Sequence, residues 1–364
     1  MNSFCFFNTV DEWGGGERWH FDVASYLQQK GHRVVIITRP GAELGARAEK
    51  SGIEVVYISI KNLSVFNPWV ISKIVRVFRS YNTDTVVMNL SRDLKCGGIA
   101  AKIAGVPRIV FRRGSDRTVR NYFVNRYLYQ KVVTGILTNS QATKNAILAH
   151  GESLVNPRKI KVIPNGIDTH RFLETKYRPV LEKKNAPFVL GALGRLEPQK
   201  NFEFLIAVAQ ELRDRGISFH LLIGGKGSQE QLLRAKVEEC NLSEQIYLLG
   251  FLDNPKELLM SCDVFLLPSL WEGFGYVIVE ASLSELPVVA FDVSSNGEVV
   301  TKDTGFLTLP GAVSDFCDKI EYLYRHPRVC KSMGKAGKAF VMKNFESALI
   351  FEKIENYLVE ESKF

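Results

Sequence analysis

The chain has 364 residues, 46% of them hydrophobic and 24% charged, which is too long for one ordinary core and suits two globular domains. The net charge is +8: residues 1–185 contribute +15 (29 Lys and Arg against 14 Asp and Glu) and the remainder −7 (18 against 25), so we expect only the first half to meet an anionic partner. No apolar run approaches the ~20 residues of a membrane-spanning helix, and the first residues lack the basic region of a secretory signal.

Strand-like apolar runs alternate with helical patterns along the chain. This alternation is typical of βαβ units and a parallel sheet. The strands predicted in the first half are residues 4–8, 33–38, 54–58, 85–89, 108–111, 135–138 and 161–163. Those predicted in the second half are residues 188–194, 218–224, 246–249, 264–267, 288–290 and 305–308.

The polar and weakly periodic residues 169–186 separate the two series of strands. We therefore predict an α/β protein with a first Rossmann-like domain at 1–170, a linker at 171–186 and a second Rossmann-like domain at 187–344. Residues 345–359 have an amphipathic pattern that predicts a terminal helix, with Phe345 near its start.

Two glutamates stand eight positions apart in residues 268–280, PSLWEGFGYVIVE. Glu272 lies in a glycine-bearing loop, and Glu280 lies in an apolar run that predicts a buried helix over 276–283. At helical rise this spacing covers about 12 Å, more than the roughly 5–9.5 Å between paired glycosidase carboxylates. It suits two carboxylates that hold two parts of one extended ligand, such as the sugar and the ribose of a sugar nucleotide.

Further motifs accompany this pair in order. They are WGGGE at 13–17, KGHRV at 30–34, IPNGID at 163–168, GALGRLEPQKN at 191–201, IGGKG at 223–227, ELPVVAFD at 285–292, GE at 297–298 and TGFL at 304–307. Nearly the whole chain thereby resembles the large retaining glycosyltransferase family marked by E-x7-E, the family 4-like "glycosyl transferases group 1". The resemblance implies the GT-B fold, in which an N-terminal acceptor-binding domain faces a C-terminal donor-binding domain across a cleft. It also implies that the last helix, about 345–364, returns to the first domain.

The resemblance gives roles to several side chains. Arg195 and Lys200 would hold the donor diphosphate, and Glu272 would contact the transferred sugar; these three are the predicted catalytic residues. Glu280 would bind the ribose hydroxyls, because a carboxylate can accept two O–H bonds. The other donor-binding residues that it implies are Gly15, Gly16, Gly250, Phe251, Phe274, Gly275 and Tyr276. Independently of the family, Arg195 and Lys200 follow a strand, at the sheet edge where cations can stabilise a leaving diphosphate.

The first domain departs from the family pattern. Many members carry a histidine just after the strand equivalent to 108–111, whereas this chain has Arg112 and Arg113 there and lacks His from 33 to 149. We therefore take Arg112 and Arg113 as candidates for contact with the acceptor or with donor phosphates. Asp116 is a candidate for an acceptor hydroxyl, with a local salt bridge as the alternative.

Residues 108–131 hold seven cations against one acid, with tyrosine and phenylalanine interleaved. This pattern favours a phosphorylated glycan or an anionic membrane surface; the alternative is a solvated helical face whose rings turn to the core. Residues 68–79 are amphipathic, which suits either a membrane surface or packing on their own sheet. We expect no nucleic-acid partner, because no recognised binding module is present.

Together the patterns and the resemblance predict a metal-independent hexosyltransferase, and the resemblance implies that the anomeric configuration is retained. The donor would be a UDP- or GDP-sugar with no separate cofactor, and the acceptor a glycan or glycolipid such as a lipopolysaccharide core or lipid-linked sugar. The six cysteines lack a CxxC pair, which favours a cytoplasmic protein, and the six histidines are scattered, so we expect no bound metal. The basic first half favours a peripheral position at the inner membrane face. The alternatives are a nucleotide-sugar epimerase of the same fold and a non-catalytic sugar-nucleotide binder.

Overall fold

The computed structural model describes residues 1–182 and 187–360. The chain divides into two compact units, one of residues Met1–Gly166 with the chain from Ala348 onward, the other of Ile167–Ser347. Residues 183–186 of the predicted linker and residues 361–364 of the predicted first domain lie outside the described residues. Among the described residues, no helix combines the length and apolar character needed to cross a bilayer.

The first unit is built on a parallel sheet, which has seven strands among the residues described. They are β1 Ser3–Phe7, β2 Arg33–Thr38, β3 Glu54–Tyr57, β4 Thr85–Met88, β5 Arg108–Arg113, β6 Gly135–Thr138 and β7 Ile160–Val162. Their order is β3-β2-β1-β4-β5-β6-β7, so the direction of winding reverses between β1 and β4. The α-helices are α1 Gly15–Gln29, α2 Glu43–Lys50, α3 Pro68–Ser80, α4 Ser91–Asp93, α5 Ile99–Ala104, α6 Phe123–Tyr127 and α7 Gln141–Leu148.

The second unit is built on another parallel sheet, with six strands in the described part of the chain. They are β8 Phe188–Leu193, β9 Phe219–Gly224, β10 Ile246–Gly250, β11 Val264–Leu267, β12 Val288–Phe291 and β13 Gly305–Thr308. Their order is β10-β9-β8-β11-β12-β13, which reverses between β8 and β11. The helices are α8 Thr169–Glu174, α9 Glu203–Asp214, α10 Glu230–Glu239, α11 Lys256–Leu259, α12 Tyr276–Leu283, α13 Asn296–Val299, α14 Val313–Arg325 and α15 Pro327–Asn344.

The predicted strands are confirmed, with ends that differ by two residues at most. The strands could be predicted from continuous apolar runs because helices cover both faces of a parallel sheet, so side chains on both faces of each strand are buried. In β1, Phe4 and Phe6 pack on one face of the sheet, and Cys5 and Phe7 pack in a separate core on the other, as the two-residue period of a strand requires. The helix predicted over 276–283 is α12, with the predicted bounds.

The chain ends in helix α16 Ser347–Val359, which packs in the first unit. Its Ile350, Ile354 and Leu358 are spaced by four residues along one face of the helix. They share a core with Phe4 and Phe6 of β1. The predicted return of the last helix to the first domain is therefore confirmed. Phe345 precedes this helix and lies in the second unit, with its ring centroid 5.5 Å from that of Phe274.

Candidate active site

Two loops of the second unit meet where its strand order reverses. Residues 194–201 follow β8 and residues 268–275 follow β11. Loops on either side of such a reversal diverge and leave a crevice at the carboxyl ends of the strands, which is where open α/β sheets bind ligands. The two loops are joined, because Leu270 N donates to Gln199 O at 2.9 Å and Gln199 Nε2 donates to Trp271 O at 2.8 Å.

These loops carry the Lys200–Glu272 pair. Nζ of Lys200 lies 2.5 Å from Oε1 of Glu272, and the two side chains are only 12% and 7% exposed. The backbone N–H of Glu272 donates to Ser294 Oγ at 3.0 Å, which fixes the start of the glutamate side chain. The structure thus brings together the predicted diphosphate cation and the predicted sugar-binding acid. Removing one member of such a pair leaves an uncompensated charge and destabilises the fold by roughly 3–5 kcal/mol. A ligand avoids this cost if it gives each side chain a new partner.

Arg195 lies in the same loop as Lys200, and its side chain is exposed to solvent. The loop is held by Glu197, whose carboxylate accepts hydrogen bonds from Ser228 N at 3.0 Å and from Ser228 Oγ at 2.8 Å. These bonds, with the nearby Arg195 charge, hold the pKa of Glu197 below its usual range. The cation at 195 therefore stands on an anchored loop beside the crevice.

The glycines at 224–227 support this loop. A Cβ added to Gly225 would lie 1.8 Å from Gly194 O, and one added to Gly227 would lie 2.4 Å from Leu196 O. Leu196 N also donates to Lys226 O at 2.9 Å. Glycine is required at 225 and 227 because the backbones of two loops are in contact there.

Helix α12 carries Glu280 and begins at the crevice. Gly275, at a φ of +70°, precedes its first turn, a conformation that suits glycine. Glu280 is 8% exposed on this helix. The Phe274 ring is buried and packs edge-to-face on Tyr276 at 5.3 Å. Phe274, which the resemblance implies to be donor-binding, can therefore reach a ligand only through its backbone.

At the same edge of the sheet, β10 ends at Gly250, whose φ is +73° and whose carbonyl accepts the Gly225 N–H at 2.7 Å. Phe251 follows with its ring 64% exposed. An exposed residue at this edge is compatible with the predicted contact with the donor. That contact stays a prediction.

A second group of polar residues lies at the reversal of the first sheet, in the loops after β1 and β4. Thr9 donates from N and Oγ1 to the carboxylate of Asp93, at 3.2 and 2.6 Å, and Arg92 Nε donates to Thr9 Oγ1 at 3.0 Å. Asn8 Nδ2 donates to Glu17 Oε1 at 2.9 Å. The sequence patterns did not single out these residues. Their position just after β1 and β4 is the one signal that could have found them, once the strand order is known.

Gly15 and Gly16 form the first turn of α1 beside this group. A Cβ on Gly16 would lie 2.6 Å from Asn89 Nδ2, so the helix approaches the loop after β4 closely. Arg112 fixes the same region: its guanidinium donates to Asn89 and Asn165 at 3.1 Å each and lies over the ring of Trp19. Arg112 is 4% exposed. In this structure it positions neighbouring loops, and the predicted ligand contact is not what its geometry favours.

The other two acceptor candidates are Arg113, the last residue of β5, and Asp116 in the loop after it. Arg113 donates from Nη2 to the carbonyl of Arg117 and hydrogen-bonds the buried Tyr129, and Asp116 is partly exposed. Gly15, Gly16 and the three acceptor candidates all belong to the first unit, whereas Arg195, Lys200, Glu272 and Glu280 belong to the second. Across the described residues, no group of three or more His, Cys, Asp or Glu side chains could hold a metal ion.

The buried Asp93 makes a prediction about stability. Burial raises the pKa of its carboxyl to about 7, although its hydrogen bonds with Thr9 act in the opposite direction. Above the unfolded pKa of roughly 4, unfolding releases a proton, so folding becomes less favourable as the pH rises toward 7. Relative to the Asp93→Asn variant, the wild type should lose roughly 2 kcal/mol of stability between pH 5 and pH 7. Urea denaturation at both pH values checks this, and a constant difference would contradict it.

Two Rossmann-like units with polar loops at their sheet reversals define the class of protein, and comparison with solved structures agrees. HepE of Anabaena has a TM-score of 0.85 and 22% identity over 98% of this chain and 99% of that one. A glycosyltransferase from Rickettsia africae has a TM-score of 0.86 and 20% identity, over all of both chains at 100%. These likenesses show the fold and confirm the predicted α/β architecture of the GT-B type.

Residues 13–171 match the family model "Glycosyltransferase Family 4", and residues 174–340 match "Glycosyl transferases group 1". The chain belongs to this family of glycosyltransferases. It is 28% identical to the capsular polysaccharide biosynthesis glycosyltransferase CapM of Staphylococcus aureus over 91% of this chain and 90% of that one. It is 26% identical to the UDP-Gal:alpha-D-GlcNAc-diphosphoundecaprenol alpha-1,3-galactosyltransferase of Escherichia coli over 78% and 77%.

Proposed function

We propose that the chain transfers a hexose from a nucleotide-diphosphate sugar, UDP- or GDP-linked, to a glycan or glycolipid, with retention of configuration and without a metal. The Lys200–Glu272 pair carries the proposal. Lys200, the proposed cation for the diphosphate, lies beside Glu272, the proposed acid for the sugar, at the crevice of the second unit's sheet. The Escherichia coli relative is named for a UDP-sugar donor, and HepE has been crystallised with UDP-glucose.

Departure of the nucleotide sets the demands on this site. Negative charge grows on the diphosphate as the sugar carbon becomes electron-poor, so cations already in place contribute most to the rate. Lys200 and Arg195 supply that positive charge, which in other enzymes a divalent ion supplies. The amides at the start of α12 face the same crevice and favour a phosphate oxygen. The proposal of retention rests on the E-x7-E resemblance.

The test is a set of incubations of the purified chain with UDP- and GDP-sugars. With a glycolipid extract present, we expect nucleotide release and an α-linked product from an α-linked donor, unchanged by EDTA. Epimerised donor in the absence of any acceptor would support the epimerase instead. Binding of the nucleotide sugar without turnover on any glycolipid would support a non-catalytic binder. Loss of activity with EDTA would contradict metal independence.

The acceptor's location follows from an exposed surface of the first unit. Tyr122 and Phe123 are 61% and 79% exposed, and Arg117, Arg120 and Arg126 are exposed near them. The alternative that these rings turn to the core fits only Tyr129, which is buried. Exposed rings among cations favour an anionic lipid surface. We infer a cytoplasmic protein that acts peripherally at the inner membrane face.

Vesicle sedimentation tests the membrane surface. We expect the chain to sediment with phosphatidylglycerol vesicles at low salt and to be released as salt rises, because screening weakens attraction between charged surfaces. Phe123→Ala should weaken sedimentation several-fold. The control is Leu309→Ala, which removes an equally exposed apolar side chain from the second unit. Absent or salt-insensitive sedimentation would remove the membrane from the proposal.

A further inference from the structure

A small cavity lies at the carboxyl edge of the first sheet and shares Arg92 with the polar group around Thr9. Its volume is about 280 Å³. The lining residues come from the loops that follow three different strands. They are Arg39 after β2, Ser59, Ile60, Lys61 and Asn62 after β3, and Arg92 after β4. We call this cavity the basic pocket.

Three cations thus converge on one small space. Arg39 pairs with Asp11 at 2.5 Å, and both side chains are about half exposed, so the pair is weak. Arg92 donates to the carbonyl and Oγ1 of Thr9, which orients its guanidinium. Lys61 is exposed, and no ion pair was found for it among the described residues. Positive charge that exceeds nearby negative charge in a concave site attracts an anion.

The size of the pocket limits that anion. The volume of about 280 Å³ is at the lower end of the range for sites of whole drug-sized ligands, which begin at roughly 300 Å³, and it accommodates a phosphate or diphosphate group. Two guanidinium groups can each bind phosphate oxygens in pairs, and a lysine adds a mobile point charge. The chemistry of the pocket therefore favours a diphosphate.

An apolar surface begins where the chain leaves the pocket. A tight turn forms at Lys61, whose N–H donates to Ser64 Oγ at 2.8 Å. Three large apolar side chains then occur at a spacing of three residues and are 74%, 82% and 81% exposed: Leu63, Phe66 and Trp69. We call these the apolar rim. The next turns of α3 bury Ile74 and Phe78, so the rim is the side of this segment that its own core leaves uncovered.

The cationic face of α3 continues the rim. Lys73 and Arg76 follow Trp69 at four and seven positions, on the same side of the helix, and are exposed. An apolar patch bordered by cations is typical of segments that meet lipid and its phosphates. The helix packs on its own sheet, as one alternative for residues 68–79 has it, while this face points outward. The membrane surface stays a prediction.

We propose that the basic pocket binds the diphosphate of a lipid-linked acceptor and that the apolar rim contacts the lipid chain next to that diphosphate. The inference deepens the proposed function and rests on it, since it names the acceptor of the same reaction. It assigns a role to the three loops after β2, β3 and β4. No bond is made or broken in the pocket; it holds the acceptor by its charged end.

Titration of the full chain with two probes tests the inference. The probes are inorganic pyrophosphate and farnesyl diphosphate, each added in the presence of saturating UDP so that the donor site is filled. We expect both to bind, with farnesyl diphosphate about tenfold tighter. Lys61→Ala should weaken both about tenfold, whereas Phe66→Ser should weaken only farnesyl diphosphate. The control is Lys50→Ala, which removes an exposed cation of α2 in the same unit and should change neither.

The outcomes separate the parts of the inference. Equal affinity of the Lys61→Ala variant and the wild type for both probes would overturn the basic pocket. Equal affinity of the wild type for the two probes, unaffected by Phe66→Ser, would overturn the proposed contact between the apolar rim and a lipid chain. The ligand of the pocket would then be a phosphate group carried by a soluble sugar. UDP binding is titrated first and separately, and Lys61→Ala should leave it unchanged. Failure of the wild type to bind UDP contradicts the proposed function and not the pocket.

Discussion

Replacing Lys200 by alanine should lower kcat for sugar transfer by roughly 30- to 1000-fold, equivalent to about 2–4 kcal/mol of transition-state stabilisation. The reason is that charge on the departing diphosphate is greatest in the transition state, and Lys200 is held at the crevice before the donor arrives. KM for the donor should rise less than kcat falls, because the ground-state diphosphate carries less charge to be stabilised. Rapid-quench measurement of nucleotide release under single-turnover conditions gives both effects.

The matched control for this variant is Lys236→Ala. Lys236 also forms an ion pair, with Glu203, but on the surface of the same unit, so its loss should leave kcat unchanged. Lys200→Ala also leaves the buried Glu272 without its cation, which destabilises the fold. The double variant Lys200→Ala/Glu272→Gln removes that buried charge. Urea denaturation should show partial recovery of stability, with no recovery of kcat. Wild-type kcat in Lys200→Ala would contradict the assigned role.

The Lys200–Glu272 pair also explains how an unliganded site can keep two charges in a buried place. Each side chain is the other's counterion in the free protein. On the proposed assignment, a donor would offer phosphate oxygens to the lysine and sugar hydroxyls to the glutamate, so that both would exchange one partner for another without an uncompensated charge. Nucleotide binding alone provides only the first exchange. We therefore expect a sugar nucleotide to bind more tightly than the nucleoside diphosphate by itself.

Much of this site could be predicted from sequence because it follows strands. The runs before residues 194 and 268 are continuous and apolar, which fixes them as buried parallel strands, and the residues after them must lie at the carboxyl edge. That is why Lys200 and Glu272, 72 positions apart, lie at the same edge of the sheet and form an ion pair. The helix over 276–283 was predictable for a similar reason, since glycines at 273 and 275 mark its start.

The first unit shows what the sequence could not reveal. Thr9 and Asp93 meet only because β4 lies next to β1, and strand order is set by packing of the whole sheet rather than by any local pattern. The basic pocket combines residues from three loops without a motif. Arg112 was predicted to lie at the carboxyl edge of the sheet, and it does. Its hydrogen-bond partners Asn89 and Asn165, which make it a positioning residue, are distant in sequence and could not be predicted.

The rings of the basic segment do not share one face. The alternative interpretation turns the tyrosine and phenylalanine rings of 122–129 toward the core. The structure has a short α-helix, Phe123–Tyr127, followed by a π-helical turn, Leu128–Val132. Residues 123 and 129 are six positions apart, about 240° around a regular helix, and Tyr129 is buried whereas Phe123 is exposed. The spacing predicts that the two rings diverge, but which of them is buried depends on packing against the rest of the unit.

Replacing Glu280 by alanine should weaken UDP binding by about 10- to 100-fold, because hydrogen bonds to a charged group contribute about 1.5–3 kcal/mol. A comparison of ligands with and without the ribose 2′-hydroxyl tests whether Glu280 contacts the ribose. The wild type should bind UDP more tightly than 2′-deoxy-UDP, which lacks one of the two hydroxyls, whereas Glu280→Ala should bind both equally. Calorimetric titration of both ligands measures this. The control is Glu285→Ala, a partly exposed glutamate just beyond α12 that pairs with Lys338 at 3.0 Å and should keep the discrimination. Discrimination that survives in Glu280→Ala would place the ribose elsewhere.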